Sequence, residues 1–393
     1  MSITVHDAMK LDAFKKFRLI AGLRGLENKI NVVGILDHEF DKKKEDLLYK
    51  GQFLKDQFVI TSLLFAKNNT ELILKALRYL VGDEVSGLAI KNIYFNDLPQ
   101  EIINFANENA FPIFIFDNSI FFEDIITEIM DRIKFAQNYE LMETRIGIIV
   151  KKNISGDMIK EISLGINNLF KEAFFIVYCK EKKYVGDDRL ISVLERLKFN
   201  RNIKSDTSIL KYKNGILIIC TYDVIKEGNL KNNINNFIDF SGLNRSSYYI
   251  GISNQHTTLE EMGKGVNESI FASTVSETAN ESLYFYKDTG IYKILLPYAS
   301  ETWMKSYYIE IIRPLKEYDK KYQTEIFDTA VKYVENDGVK KATAADLFIH
   351  ENTVRYRIKK IKQILDMEKL EGSFYEQISI AIKLYKLYEK NYL

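Results

Sequence analysis

Basic and polar side chains that could contact a nucleic acid are concentrated near the C-terminal end of the chain. They are His350, Asn352, Thr353, Arg355, Tyr356, Arg357, Lys359, Lys360 and Lys362. Arginine can form two hydrogen bonds with the major-groove edge of guanine, asparagine can do the same with adenine, and lysine neutralises phosphates. Between residues 341 and 363, six basic residues stand against two acidic ones, giving +4 where the whole chain carries only +1. This concentration of charge predicts binding to double-stranded DNA.

Two short helices joined by a tight corner are expected to position these side chains. The first is predicted over residues 343–348, with Thr343 as its N-cap and Asp346 three residues later, the spacing of a capping box. The second is predicted to start within residues 350–352 and to end near residue 365. Its apolar residues recur at helical spacing and predict one buried stripe, formed by Val354, Ile358, Ile361 and Leu365. A helix–turn–helix of this kind places its second helix in the major groove.

The alternative is that the basic residues form only the solvated side of an amphipathic helix. The small residues at 342–345, which permit close helix packing, favour DNA binding over that alternative, as does the charge contrast with the rest of the chain. Both Arg355 and Arg357 are expected to lie off the buried stripe. Either could then contact a base while contributing little to stability.

The same residues resemble a known family. The run from His350 to Ile361 reads His-x-Asn-Thr-Val-Arg-Tyr-Arg-Ile-x-Lys-Ile, and Ala344-x-x-Leu-Phe-Ile precedes it. This pattern is similar to the C-terminal domain of PucR/CdaR-type transcriptional regulators. By analogy with the related factor-for-inversion-stimulation type of helix–turn–helix, the resemblance implies that His350 is the N-cap of the second helix.

Length and composition indicate an ordinary globular protein. A chain of 393 residues predicts two to three domains. Its two cysteines, Cys179 and Cys220, lie in apolar, strand-like runs, which predicts buried thiols and a reducing compartment. The four histidines are widely separated, so no metal and no cofactor is expected. Without a signal-peptide core or a run of 18 apolar residues, the chain is expected to be cytoplasmic, with no membrane partner.

The N-terminal part of the chain alternates strand-like and helix-like segments. Strands are predicted over residues 30–36, 57–62, 86–91 and 112–117, and helices over 71–81 and 100–109. This alternation favours a mostly parallel α/β layer structure. Several stretches also resemble the N-terminal effector domain of PucR regulators, among them Ala21-Gly-Leu-Arg-Gly-Leu26, Gly87-Leu-Ala-Ile-Lys91, Leu98-Pro99 and Pro112-Ile.

A small-molecule effector site is expected at the carboxyl ends of these strands, where open parallel sheets bind ligands. The polar residues predicted there are Thr61, Ser62, Lys91 and Asp117. The alternative is that Thr61 and Ser62 cap the following segment, while Lys91 and Asp117 pair with each other or stay solvated.

The middle of the chain is predicted to begin after a helix over residues 120–142, which is expected to be a domain connector, with a dimerisation helix as the alternative. Strands are predicted over 145–150, 173–179, 208–212, 216–222, 248–253 and 282–286, and helices over 155–170 and 257–278. The Asn-Gly pair at 214–215 predicts a hairpin turn. The order suggests a ferredoxin-like, palm-type fold, and the region resembles the degenerate GGDEF-like domain of many PucR/CdaR regulators. Neither 145–150 nor the turn carries acidic residues that could hold Mg²⁺, so no enzymatic activity is expected.

Together these observations predict a multi-domain α/β and α+β protein. The predicted domains are an effector-sensing α/β domain (1–130), a connector (131–144), a ferredoxin-like, degenerate palm domain (145–312) and an all-α helix–turn–helix domain (313–393). The last domain is expected to start at Arg313-Pro314 and to include helices over 322–334 and 375–388.

The corresponding function is that of a ligand-responsive, DNA-binding transcriptional regulator. It is expected to act as a homodimer or higher homo-oligomer, and the resemblance points to purine, nitrogen or small organic-acid metabolism. The alternatives are an enzyme that binds or processes a nucleotide in its central domain, and a regulator that acts mainly through protein contacts.

Overall fold

The computed structural model describes residues 2–36, 53–151, 153–184, 186–198, 203–223, 244–370 and 372–389. The chain packs as two compact units, Met1–Thr144 and Arg145–Leu393. No helix in these ranges is both long and apolar enough to cross a membrane.

The first unit is built on a five-stranded sheet. In chain order the unit's strands are β1 (Ile3–Thr4), β2 (Phe17–Ala21), β3 (Lys29–Ile30), β4 (Val32–Ile35), β5 (Gln57–Thr61), β6 (Gly87–Lys91) and β7 (Ile113–Phe116). The sheet has the order β2-β7-β6-β5-β4, and β1 pairs with β3 in a separate two-stranded sheet. Strands β4 to β7 are parallel, whereas β2 is antiparallel to β7. The predicted mostly parallel α/β layer is therefore confirmed.

Both faces of this sheet are covered, as expected for parallel strands. Phe58, Val59 and Ile60 are fully buried although alternate residues of a strand point to opposite faces. Helices α2 (Glu71–Gly82) and α3 (Gln100–Glu108) pack on the face that includes Val59. The other face, with Phe58 and Ile60, is covered partly by α1 (Val5–Ala8) and by Ile125, Ile129 and Ile133 of a long helix, α4 (Phe122–Ile149).

Helix α4 corrects one prediction. Residues 145–150 were expected to form a strand, but the helix continues to Ile149. Ile146 and Ile149 are both buried and stand three residues apart, so this short apolar run has helical as well as strand-like spacing. The predicted helix over 120–142 therefore extends by nearly two turns, and the first predicted strand of the middle region does not exist.

The second unit contains another five-stranded sheet, with β8 (Ala173–Glu181), β9 (Thr207–Tyr212), β10 (Gly215–Tyr222), β11 (Tyr248–Ile252) and β12 (Leu283–Phe285). Its order is β12-β11-β8-β10-β9. All pairs are antiparallel except β11 with β12. Residues 213–214 form the predicted hairpin turn, since Tyr212 pairs with Gly215. Both cysteines are buried and free, as predicted.

The helices described beside this sheet are α5 (Gly156–Ile166), α6 (Asp187–Lys198), which was not predicted, and α7 (Met262–Ala279). Helix α7 packs closely on β11 at Gly251. A Cβ atom on Gly251 would lie 2.0 Å from the carbonyl oxygen of Ser269, so only glycine permits this approach.

Helices alone form the C-terminal part of the second unit. They are α8 (Tyr292–Leu295), α9 (Thr302–Tyr322), α10 (Ile326–Glu335), α11 (Lys340–Asp346), α12 (Glu351–Ile364) and α13 (Gly372–Glu389). The five helices from α9 to α13 share one apolar cluster, to which they contribute Leu315, Ala330, Ala344, Ile358 and Ile378 among others.

Pro314 does not interrupt the chain, although a break at Arg313-Pro314 was the reason for placing the domain boundary at residue 313. Pro314 lies inside α9, whose Ile311, Ile312 and Leu315 are buried. This packing holds the helix together across the missing backbone donor. The helix predicted from residue 322 starts instead at Ile326, because both carboxylate oxygens of Asp319 accept hydrogen bonds at its first turn, from the backbone N–H groups of Ile326 and Phe327 at 2.8 Å.

Candidate nucleic-acid interface

Helices α11 and α12 form the predicted helix–corner–helix, but the first helix is capped differently from the prediction. Helix α11 begins at Lys340, with Val339 in the N-cap position. Thr343 is fully buried inside the helix, and its hydroxyl donates to the carbonyl oxygen of Val339 at 2.9 Å. The predicted capping box is therefore wrong, because the threonine hydroxyl bonds back to the preceding turn.

The corner between the two helices is a Schellman motif. The backbone N–H of Ile349 donates to the carbonyl of Ala344 at 3.1 Å, and that of Phe348 donates to Ala345 at 3.2 Å. Phe348 adopts the left-handed conformation, with φ of 55°, and Ile349 packs against the apolar cluster. The chain thus leaves α11 and reaches the cap of α12 within three residues.

His350 caps α12. Its Nδ1 accepts a hydrogen bond from the backbone N–H of Asn352 at 3.1 Å. The N-cap assignment is confirmed, and it fixes where the helix begins. The buried stripe is confirmed for Val354, Ile358 and Ile361, which are at most 5% exposed. Leu365, the fourth predicted member, is the half-buried C-cap residue of the helix and packs against the same apolar cluster.

The side of α12 opposite the buried stripe is exposed and polar. It consists of Asn352, Arg355, Tyr356, Lys359 and Gln363, spaced by three or four residues. We call these five residues the reading face. The Tyr356 residue is 67% exposed and the Arg355 side chain 62% exposed. This face presents an amide, a guanidinium, a phenol and an ammonium group in one row, which suits hydrogen bonding to base edges and phosphates.

Arg355 is held in place by Glu351 one turn earlier. Its Nη2 and Nε donate to Oε1 of Glu351 at 2.8 and 3.1 Å. These hydrogen bonds lower the pKa of the Glu351 carboxyl, and the positive charges of Arg355 and Lys341 lower it further. Lys341 of α11 thus belongs to the same group of charges.

Arg357 lies in a different environment. Its side chain is only 19% exposed. It donates to the hydroxyl of Thr329 at 3.0 Å and to Oε2 of Glu325 at 3.1 Å, both at the start of α10. Arg357 was expected to lie off the buried stripe and to contribute little to packing; its contacts with α10 contradict the second part of that expectation. The sequence around α12 does not reveal partners 28 and 32 residues away.

The remaining residues predicted to bind DNA are likewise either exposed or packed against neighbouring side chains. His350 and the reading-face residues Asn352, Arg355, Tyr356 and Lys359 are exposed. Thr353 is half-buried, and two lysines lie over aromatic rings, Lys360 at 5.4 Å from Tyr318 and Lys362 at 5.1 Å from Phe374. Sequence reasoning missed Lys341, Phe348 and Gln363, although the exposure of Gln363 follows from its helical spacing to Lys359.

The four residues predicted to bind an effector lie at one edge of the first unit's sheet. Thr61, Lys91 and Asp117 stand at or just after the ends of β5, β6 and β7, which are neighbouring parallel strands, and Ser62 follows Thr61. Thr61 is fully buried, and its hydroxyl accepts a hydrogen bond from the backbone N–H of Leu63 at 2.9 Å. The capping alternative therefore describes Thr61, and Ser62 is half-buried.

Lys91 and Asp117 also have protein neighbours. The Lys91 ammonium lies 5.5 Å from the Phe121 ring centre. Oδ1 of Asp117 accepts from the backbone N–H of Ser119 at 2.8 Å. Hydrogen bonds from Ser119 lower the pKa of the Asp117 carboxyl, and the charges of Lys16 and Lys91 add to this effect. The four residues therefore lie at one edge of the sheet, but Thr61, Lys91 and Asp117 already contact neighbouring protein groups.

Two grooves on the surface of the first unit are large enough to hold a small molecule. One, of about 500 Å³, is lined by Lys16 and Ser119, which neighbour Asp117, and by Glu123 and Thr127 of α4. The other, of about 760 Å³, lies between α2 and α3 and is lined by Leu74, Arg78 and Ile102.

The chain matches two family models. Residues 7–133 match the purine catabolism regulatory protein-like family, and residues 326–384 match the PucR C-terminal helix–turn–helix domain. The second match contains α10 to α12, the reading face and most of α13. The resemblance noted at both ends of the sequence is therefore confirmed.

Relatives with curated descriptions include two proteins of Bacillus subtilis (strain 168). The proline-responsive transcriptional activator PutR is 32% identical over 123 residues, which is 30% of this chain and 30% of PutR. The purine catabolism regulatory protein is 29% identical over 142 residues, 36% of this chain and 25% of that protein. The similarity thus spans less than a third of either relative.

Among solved structures, the regulator of polyketide synthase expression from Bifidobacterium adolescentis is 10% identical, covering 64% of this chain and 99% of that one. Its TM-score is 0.30, which is too low to support an argument about fold or function.

Proposed function

We propose that this chain, which carries a PucR-type domain at each end, is a DNA-binding transcriptional regulator that responds to a small-molecule effector. The observation that carries the proposal is the reading face of α12. It is exposed, polar and basic, and it lies on a helix whose start is fixed by His350 and whose opposite side is buried.

In this proposal, α12 enters the major groove with its N-terminal end leading. Asn352, Arg355 and Tyr356 contact base edges, while Lys359 and Lys341 neutralise phosphates. Glu351 positions the Arg355 guanidinium before DNA arrives. Contacts of α12 with its neighbouring helices are made by Thr353, Arg357, Lys360 and Lys362. The two lysines also add positive charge that attracts phosphates.

One such helix reads only a few base pairs, so useful specificity requires two copies. We therefore propose a homodimer or higher homo-oligomer that binds two half-sites about one helical turn apart, roughly 10 base pairs from centre to centre.

For the remainder of the chain we retain the proposed plan of a sensor over residues 1–130, a connector over 131–144, a middle domain over 145–312 and the helix–turn–helix domain from 313. The middle domain would be a degenerate GGDEF-like domain with a ferredoxin-like core. The succession β8, α6, β9, β10 supports this, with β11 beside β8. Helix α4 runs through the boundaries at 130/131 and 144/145, and α9 runs through the one at 312/313, so both would act as continuous connectors.

A regulatory rather than an enzymatic role is supported by the names of the relatives, all of which describe regulation. The β9–β10 turn also consists of Lys213 and Asn214, neither of which supplies the carboxylate expected of a catalytic magnesium site. We place the protein in the cytoplasm, where it would meet its DNA without needing a cofactor.

The effector would belong to purine or nitrogen metabolism, with small organic acids as a further class, and it would bind at the sheet edge containing Ser62, Lys91 and Asp117. L-proline and xanthine are suitable first probes. If either probe changes the DNA affinity, Lys91→Ala should remove that change without altering affinity in the absence of probe. An unchanged response in Lys91→Ala, together with a lost response in Arg78→Ala, would move the site to the groove between α2 and α3.

Selection from a random duplex library tests the DNA-binding proposal. The full chain is expected to enrich a sequence with two related half-sites about one helical turn apart. Enrichment of no sequence over many rounds, at a salt concentration where the chain binds DNA, would contradict it.

A further inference from the structure

Phe348 is the most exposed large apolar side chain among the described residues, at 96%. It occupies the corner between α11 and α12, two residues before the cap His350. A phenylalanine gains nothing for folding when its ring remains in water, because the hydrophobic effect rewards only surface that is buried.

The backbone gives no reason for phenylalanine at this position either. Phe348 is the left-handed residue of the Schellman motif, with φ of 55°, where glycine is usual because a Cβ atom is crowded there. The apolar contact that accompanies such a motif comes from Ile349, which packs against the cluster of buried side chains. The corner would therefore form at least as well with glycine at residue 348.

The position of the ring points to DNA. Phe348 precedes the end of α12 that leads into the groove in the proposed function, and the reading face with Asn352 and Arg355 begins one turn later. Duplex DNA offers apolar surface at the C5-methyl group of thymine, which projects into the major groove, and at the deoxyribose.

We infer that Phe348 is a DNA-contacting residue, whose ring packs against a thymine methyl group or a deoxyribose beside the polar contacts of α12. This inference rests on the proposed function. It adds an apolar contact from the corner to the hydrogen bonds and charges of the helix.

Phe348→Gly is the decisive variant, because it should lower the affinity for DNA without lowering the stability of the fold. Its thermal midpoint should equal or exceed that of the parent, since glycine relieves the left-handed backbone. Its affinity for a duplex enriched from the random library should fall roughly tenfold, the scale of burying one aromatic side chain. The slope of log affinity against log salt should not change, because an apolar contact releases no counterions.

Two controls sharpen the experiment. Phe348→Leu, which keeps an apolar side chain, should retain most of the affinity, and Leu370→Ala, an exposed apolar residue beyond α12, should bind like the parent. Replacing each thymine of the duplex by deoxyuridine distinguishes the two apolar surfaces. If one replacement weakens the parent but not Phe348→Gly, the ring contacts that methyl group. If none does while Phe348→Gly remains weaker, the ring contacts the sugar.

The inference is overturned if Phe348→Gly binds the enriched duplex as tightly as the parent. A loss of regulation in cells without a loss of affinity would likewise overturn it and would indicate a protein partner. If the parent enriches no duplex at all, the proposed function fails before Phe348 is tested.

Discussion

At the scale of single residues, two arginines in one motif have different roles. Arg355 is exposed and paired with Glu351 on the same helix, whereas Arg357 reaches back to Thr329 and Glu325. The sequence predicted a basic helix face but could not separate the two arginines. Their difference depends on which helix packs beside α12, and that is a tertiary property.

Arg357→Ala is therefore expected to destabilise the C-terminal helices. It removes a largely buried guanidinium and leaves the Thr329 hydroxyl without this donor, at a cost of about 1–2 kcal/mol of unfolding free energy. Urea denaturation followed by circular dichroism measures this, and Arg355→Ala is the matched control, expected within about 0.5 kcal/mol of the parent. Equal stability of both variants would contradict the packing role of Arg357.

His256 makes a second residue-scale prediction, on pH. Its side chain is 3% exposed, and its Nδ1 and Nε2 lie 3.0 and 3.1 Å from carboxylate oxygens of Glu261 and Glu268. Burial lowers the pKa of the imidazole, but the hydrogen bonds and charges of the two glutamates outweigh burial and raise it overall. Lys264 also faces this group, through Glu261.

A raised pKa in the folded state means that protonated His256 stabilises the fold. This contribution is complete below the ordinary pKa of histidine, about 6.5, and is lost as the pH rises through the folded-state value. The thermal midpoint should fall over that window in the parent, and the fall should be smaller in His256→Gln. Parallel pH profiles for the two proteins would show that His256 does not titrate in this way.

At the scale of elements, the end of α4 shows why one prediction failed. The run Arg-Ile-Gly-Ile-Ile-Val over residues 145–150 is rich in β-branched residues, which favour a strand, and its glycine disfavours a helix. Burial of Ile146 and Ile149 on one side of a continuing helix outweighs that preference. The start of α12 was predicted only to within residues 350–352, and the family resemblance identified His350 as its cap.

Gly147→Ala tests this assignment. Gly147 lies inside α4, and a Cβ atom there would have no neighbour within 4 Å, so alanine should stabilise the helix by about 0.5–1 kcal/mol. Gly251→Ala is the opposite case, since its Cβ would meet the Ser269 carbonyl oxygen, and it should lower the thermal midpoint strongly. A loss of stability in Gly147→Ala similar to that of Gly251→Ala would argue against the helix.

At the scale of the whole molecule, the sequence predicted the parallel sheet of the first unit better than the strand order of the second sheet. The parallel sheet of the first unit followed from alternating strand and helix signals. In the second unit, the order β12-β11-β8-β10-β9 depends on pairings between distant segments, and only the β9–β10 hairpin had a local signal. The proposed effector residues were brought to one sheet edge, but their engagement with Leu63, Phe121 and Ser119 was not predictable, because those contacts form in the loops that follow the strands.

The central claim is that this chain reads DNA through the exposed face of α12. The most direct test is the affinity of Arg355→Ala for the enriched duplex, measured by fluorescence anisotropy at fixed salt, with Lys369→Ala as an exposed control beyond α12. Loss of one two-bond base contact should weaken Arg355→Ala by about 1–3 kcal/mol, which is roughly 5- to 150-fold, while Lys369→Ala binds like the parent. Parent-like affinity in Arg355→Ala, and equally in Lys359→Ala, would contradict the claim.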